Sequence, residues 1–127
     1  MDLRALPSEV EAVLRQFRTC ELTTLSKSGA PTTWPASARY LPEQGRFMLT
    51  TSIGFAQKAF NIRRNPKVSL LYSDPTGSGL HSPPAVLVQG DAVVSEGFVT
   101  AVEGLEDYWR ETIFGRQPTT GFFSSNF

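Results

Sequence analysis

Hydrophobic positions along this chain change their period several times, and each change marks an element. Val10, Val13, Leu14 and Phe17 recur at i, i+3, i+4 and i+7, the single apolar stripe of an amphipathic helix over about residues 9–17. Ser8-Glu-Val-Glu11 ahead of it fits a capping box, in which the Ser8 hydroxyl takes the Glu11 amide and the Glu11 carboxylate reaches back. From Thr19 to Lys27 the residues become β-branched and alternating, and Ser28-Gly29 turns the chain into a second extended run, 30–40. Pro31 and Pro35 cannot donate to a ladder, which puts that run at an edge or at a bend. Pro42-Glu-Gln-Gly45 turns the chain again into a strand over 46–51, so three consecutive strands read as an antiparallel meander.

A short helix over about 55–64 follows, and it stops before Asn65-Pro66 because proline disfavours helical geometry at the residue before it. Lys67–Ser73 is the fourth strand. The segment 74–84 is too rich in Gly and Pro for regular structure, and its length suits a lid or a subunit contact. The fifth strand, 85–95, is apolar at both parities up to Val88, as expected where both faces are covered, and Gly90 marks a bulge or a close backbone approach. Val102, Leu105, Trp109 and Ile113 give the apolar face of a second helix over about 99–114. After Gly115 the periodic signals stop, and Phe122, Phe123 and Phe127 read as a hydrophobic anchor on a partner subunit. The sum is a mainly β fold with flanking α: a small antiparallel barrel with a helix at each end. Strands with two apolar faces in so small a domain need a cover from outside, and a homodimer supplies it.

Composition narrows the function. The 127 residues allow one domain, 1–127. Twelve basic side chains balance twelve acidic ones, so the charge footprint of a nucleic-acid-binding module is missing. The first residues lack the apolar run of a signal peptide and no stretch is long enough to span a bilayer, from which a soluble, cytoplasmic protein is expected. Cys20 and His81 are each the only residue of their kind, too few for a recognisable metal cluster. Cys20 reads as a small buried strand residue and His81 as a solvated loop histidine. No catalytic Ser-His-Asp constellation and no glycine-rich dinucleotide fingerprint after a strand is recognisable.

The junction of the third strand with the short helix is where chemistry gathers. Thr50, Thr51 and Ser52 end the strand, and Lys58 lies in the first turns of the helix. Hydroxyls, open helix amides and a lysine together suit a phosphate, which the helix end attracts and the lysine neutralises. Trp34 and Tyr40 offer flat rings to a planar ligand, and an ordinary core or interface role for the tryptophan is at least as consistent with its type. Arg63 and Arg64, near the helix C-terminus, are read as structural.

With these residues on view, the chain resembles the pyridoxamine 5′-phosphate oxidase-like, flavin-binding split-barrel family. The resemblance runs from about Thr19 to Ser95 and rests on Ser28-Gly29-Ala-Pro31, Phe47–Thr51, Lys58–Leu71 and Val86–Ala92 taken in order. Thr33-Trp-Pro35 and 73–79 look like an actinobacterial-type subgroup whose activities are mostly unassigned. The resemblance implies a split barrel that binds FMN, or the related deazaflavin coenzyme F-420, in clefts at a homodimer interface. It places Lys58 at the phosphate-binding lysine, Thr50 and Thr51 beside the ribityl and phosphate region, and Trp34, Pro35, Ala36 and Ser37 beside the flavin ring. Arg39 falls near a phosphate-contacting basic position. Departures are also visible. Trp34 stands where the true oxidases carry an arginine, Ala56-Gln57-Lys58 replaces a Ser-Arg-Lys triplet, and their terminal substrate-binding Arg and His have no counterpart. Pyridoxal phosphate synthesis is therefore not expected. The expected functions are an FMN-dependent oxidoreductase acting on a small molecule, a deazaflavin-dependent reductase of the same fold, or a non-catalytic flavin or haem binder.

Overall fold

The computed structural model describes residues 2–52, 57–94 and 120–126. The expected helix over 99–114 lies outside them. A 3-10 turn over Leu3–Ala5 leads into helix α1, Ser8–Gln16, whose Val13 and Leu14 are buried together with Phe17 just beyond its end. The capping box does not form. Pro7 is the cap, its carbonyl accepting the Val10 and Glu11 amides at 3.1 and 3.0 Å, and Ser8 is already the first helical residue. The Glu11 carboxylate instead accepts from Arg15 one turn on, at 2.7–2.8 Å, which is the favourable acid-before-base order on a helix.

Strand β1 (Cys20–Leu25) and strand β2 (Pro31–Ala36) form the expected hairpin, with Cys20 opposite Ala36 and Leu25 opposite Pro31. Its turn closes by hydrogen bonds from the Ser26 amide to the Ala30 carbonyl and from the Gly29 amide to the Ser26 carbonyl. Gly29 sits at φ +86°, a backbone region that glycine enters without strain. The run 30–40 is not one strand of a meander. It breaks at Ser37 into β2 and β3 (Ala38–Leu41), and β3 pairs with β4 (Arg46–Ser52) rather than with β1. β2 pairs with β1 alone among the described strands, so Pro31 and Pro35 stand at an edge and before a bend, where their missing N–H groups are harmless.

Helix α2 (Gln57–Arg64) then leads into β5 (Lys67–Tyr72), and β6 (Val86–Val94) follows the long loop. The tail is a strand, β7 (Thr120–Asn126), inserted between β4 and β6. No periodic signal in the sequence announces this strand. β4 and β6 would each otherwise present an open ladder edge, and backbone pairing satisfies both whatever side chains the tail carries. The sheet order is β2-β1-β5-β6-β7-β4-β3, antiparallel throughout. Its two outer members are halves of one bent run, so the sheet curls until its ends meet: a barrel.

Alternation along the strands selects the interior. Cys20, Leu22 and Thr24 of β1, Val68, Leu70 and Tyr72 of β5, and Phe47 and Leu49 of β4 point in and are buried. The α1 side of the core is sealed by Phe17 set edge-on to Tyr72, and by Tyr40, whose ring lies 5.5 Å from Phe47 and whose hydroxyl donates to the Leu3 carbonyl at 2.8 Å. Ile62 of α2 joins the same core. The outer face of β6 differs from the expectation of cover on both sides. Within this chain Leu87 and Val93 are 57 and 61 % exposed, and Leu71 lies opposite Leu87 in register. No described helix is long and apolar enough to cross a membrane.

Candidate functional site

α2 lies against the β1–β2 hairpin and carries Lys58 near its start. The Lys58 ammonium stands 5.8 Å from the centroid of the Trp34 ring, within reach of the negative face of the indole. Trp34 is on β2 opposite Leu22, and is held half-buried by that pairing. Lys58 is half-buried as well, and loss of hydration holds its amine below the ordinary lysine range. Among the described residues it forms no ion pair. Asp91 on neighbouring β6 is taken by Lys67 at 2.9 Å. A cation withdrawn from water, beside a flat apolar ring and without a carboxylate, has the composition of an anion-binding corner.

The other candidates are distributed unevenly around this corner. Gln57 donates through Nε2 to the Asn61 Oδ1 at 2.9 Å, so it braces the helix. Ala36 shares the inward side of β2 with Trp34, whereas Pro35 is exposed on the other side and Arg39 of β3 is exposed opposite Met48. Trp34 and Arg39 stand on two different strands, separated by the bend at Ser37. Ser37, at the bend, donates its hydroxyl to the Arg18 carbonyl at 3.0 Å. Thr50 is half-buried on β4 opposite Phe122, and Thr51 and Ser52 continue that strand opposite Gly121 and Thr120. Arg63 and Arg64 are exposed at the end of α2.

A buried polar cluster under α2 escaped the sequence reading. Asn61, 1 % exposed, donates to the hydroxyls of Thr24 and Thr32 on the two hairpin strands. Its signal in the sequence is faint: two threonines at inward parities of strands that otherwise point apolar residues in, and an asparagine beside Ile62 on the core side of the helix. Cys20 is buried, as expected, and burial pushes its thiol up to about 12, which leaves it an inert packing residue. His81 is exposed in the 74–84 loop, and no cluster of three or more His, Cys, Asp or Glu suited to a metal occurs among the described residues. That loop is fastened by Arg18, whose Nε donates to the Gly77 carbonyl at 3.0 Å.

Comparison with known proteins adds the lineage. The family model for pyridoxamine 5′-phosphate oxidase matches residues 6–115. No curated protein matches. Among solved structures, HutZ, the haem storage protein from Vibrio cholerae, superposes with a TM-score of 0.70 at 19 % identity over 95 % of this chain and 89 % of that one. An FAD-binding protein from Mesorhizobium loti gives 0.63 at 22 %, over 95 and 89 %. A protein related to general stress protein 26, of the pyridoxinephosphate oxidase family, from Clostridium acetobutylicum gives 0.63 at 14 %, over 99 and 85 %. At these identities the structures speak for the fold alone, a split barrel, while the model match spans most of the sequence. The chain belongs to the pyridoxamine 5′-phosphate oxidase family.

Proposed function

We propose that the protein binds FMN and acts as an oxidoreductase on a small organic molecule, with the cofactor in a cleft between two copies of the chain. The observation that carries this reading is Lys58: half-buried, without an ion-pair partner among the described residues, and set against Trp34. The donor set fits the group. A phosphate monoester supplies the charge the amine lacks, and an indole face packs well on a flat heteroaromatic ring. Thr50, Thr51 and Ser52 are the hydroxyl donors nearest in sequence, and Gln57 stiffens the helix that presents the lysine. When bound, FMN supplies the hydride and electron transfer, so the chain needs no dedicated acid or base of its own. Lys58 holds the phosphate end, Trp34 orients, and the covered cleft keeps water out.

Arg39 and Pro35, both exposed, are assigned together with Ser37 and Thr50 to contacts with the cofactor across the subunit interface. The exposed Leu87 and Val93, with Phe60 of α2 at 53 % exposure, are the apolar surface such a homodimer would cover. Two other readings have an observation each. Arg63 and Arg64, exposed at the end of α2, favour a coenzyme with a longer acidic tail, the deazaflavin F-420. The likeness to HutZ favours a haem binder.

The absorbance spectrum of the purified protein, followed by titration with FMN, F-420 and haem, separates the three. Saturable FMN binding that weakens about tenfold or more in Lys58→Ala, with the fold intact, is the expected result. Failure to bind FMN, or an affinity indifferent to Lys58, overturns the reading.

A further inference from the structure

Every hydrogen-bonding position of the Asn61 side chain is used. Nδ2 donates to the Thr24 Oγ1 at 3.0 Å and to the Thr32 Oγ1 at 3.3 Å, while Oδ1 accepts from the Gln57 Nε2 at 2.9 Å and from the Arg64 Nη1 at 3.4 Å. A guanidinium can only donate, so the amide oxygen must face Arg64, and the nitrogen must face the threonines. The threonine protons follow from this. The Thr32 hydroxyl donates to the Thr24 carbonyl at 3.3 Å, which leaves the Thr24 hydroxyl, 3.1 Å away, to donate to Thr32. The result is a closed circuit with no orphaned member, the condition under which a buried polar network stiffens a fold rather than weakens it.

One end of the circuit is in α2 and the other spans β1 and β2. Lys58 precedes Asn61 by three residues, about one helical turn, and Trp34 follows Thr32 by two, on the same side of β2. The amine and the ring that it approaches are therefore both one short step from the same clamp. An apolar side chain at position 61 would seal as much surface, but it would not set the rotation of the helix against the hairpin. We propose that Asn61 is a positioning residue, whose amide locks α2 to the β1–β2 hairpin so that the Lys58 amine is held over Trp34 and presented to an anion. The anion rests on the FMN reading above; the clamp does not.

The test uses the apo protein first. The chain has three lysines, Lys27, Lys58 and Lys67, so 13Cε-labelled lysine gives three NMR signals, and Lys58→Ala assigns one. In the wild type Lys58 should titrate below the ordinary lysine range, because its amine is held partly out of water. In Asn61→Leu it should rise toward the ordinary lysine value as the amine swings into water, while thermal unfolding stays cooperative. If Asn61→Leu fails to fold, Thr32→Val removes one acceptor at nearly constant volume and should move Lys58 the same way by less. A folded variant in which Lys58 titrates as in the wild type overturns the proposal.

The second arm compares FMN with riboflavin, which lacks the phosphate. The Asn61 variant should lose about tenfold of the preference for FMN, with riboflavin binding nearly unchanged. Equal loss of both ligands would reduce Asn61 to a general structural role and also overturn the proposal. Wild-type protein that binds FMN and riboflavin alike would instead remove the phosphate reading, leaving the clamp to stand or fall on the titration.

Discussion

A lysine amine half out of water, facing an indole rather than a carboxylate, puts opposite signs on two pH dependences. Burial lowers its pKa from 10.5, so between the lowered value and 10.5 the unfolded chain carries more of that proton than the folded one. Stability of the apo protein therefore rises with pH through that window as far as Lys58 is concerned. FMN affinity falls over the same window, because the phosphate needs the ammonium. Denaturant unfolding and FMN titration at stepped pH read the two slopes, and in Lys58→Ala both contributions should disappear. Gly77 carries a second test at this scale. It sits at φ +74°, and a Cβ there would meet the Arg18 Nε at 2.7 Å, so Gly77→Ala should lower stability by about 1 kcal/mol in a thermal melt and release the loop from Arg18. Lys58 and Trp34 were legible as candidates because their types and local order carry meaning. The Asn61 circuit was not, because its hydrogen bonds join residues 29 and 37 positions apart, and no local pattern records such a pairing.

At the scale of elements, the strands whose faces alternate cleanly were readable: β1, β5 and the hairpin turn at Ser28-Gly29 stand within a few residues of their expected places. β7 was hidden. Thr120–Asn126 has glycine and serine at positions where strands usually carry β-branched residues, and it is a strand because β4 and β6 hold its backbone from both sides. The capping box misled for a related reason: the motif was present, but Pro7 began the helix one residue earlier and Arg15 claimed Glu11. The outer face of β6 yields the clearest prediction for an element. Leu87→Lys places a charge in the exposed apolar patch formed with Leu71, and it should shift the proposed dimer to monomer in sedimentation while leaving the monomer's melting cooperative. An interior change behaves differently: Leu70→Ala, at a fully buried site, should lower stability by about 2–5 kcal/mol in denaturant unfolding whatever the state of assembly.

For the whole molecule, barrel class and antiparallel character followed from the alternation, but closure did not. A meander and a barrel demand the same hydrophobic pattern from residues 30–40; they differ in whether the run stays straight or bends at Ser37 to serve β1 with one half and β4 with the other. Only the long-range pairings decide that. Removing 120–126 tests the closure directly, since it bares two ladder edges at once. The truncated chain should lose cooperative unfolding and aggregate in light scattering, where the full chain stays clear.

The place of β7 also gives the protein a history during its synthesis. Both flanking strands leave the ribosome well before it does, with 25 residues separating the end of β6 from its start. Until those are made, the nascent barrel has a slot whose two rims are unpaired backbone, open to any extended peptide nearby. A chaperone that shields strand edges co-translationally would have its substrate in this interval, and slowing translation across residues 95–119 would lengthen it.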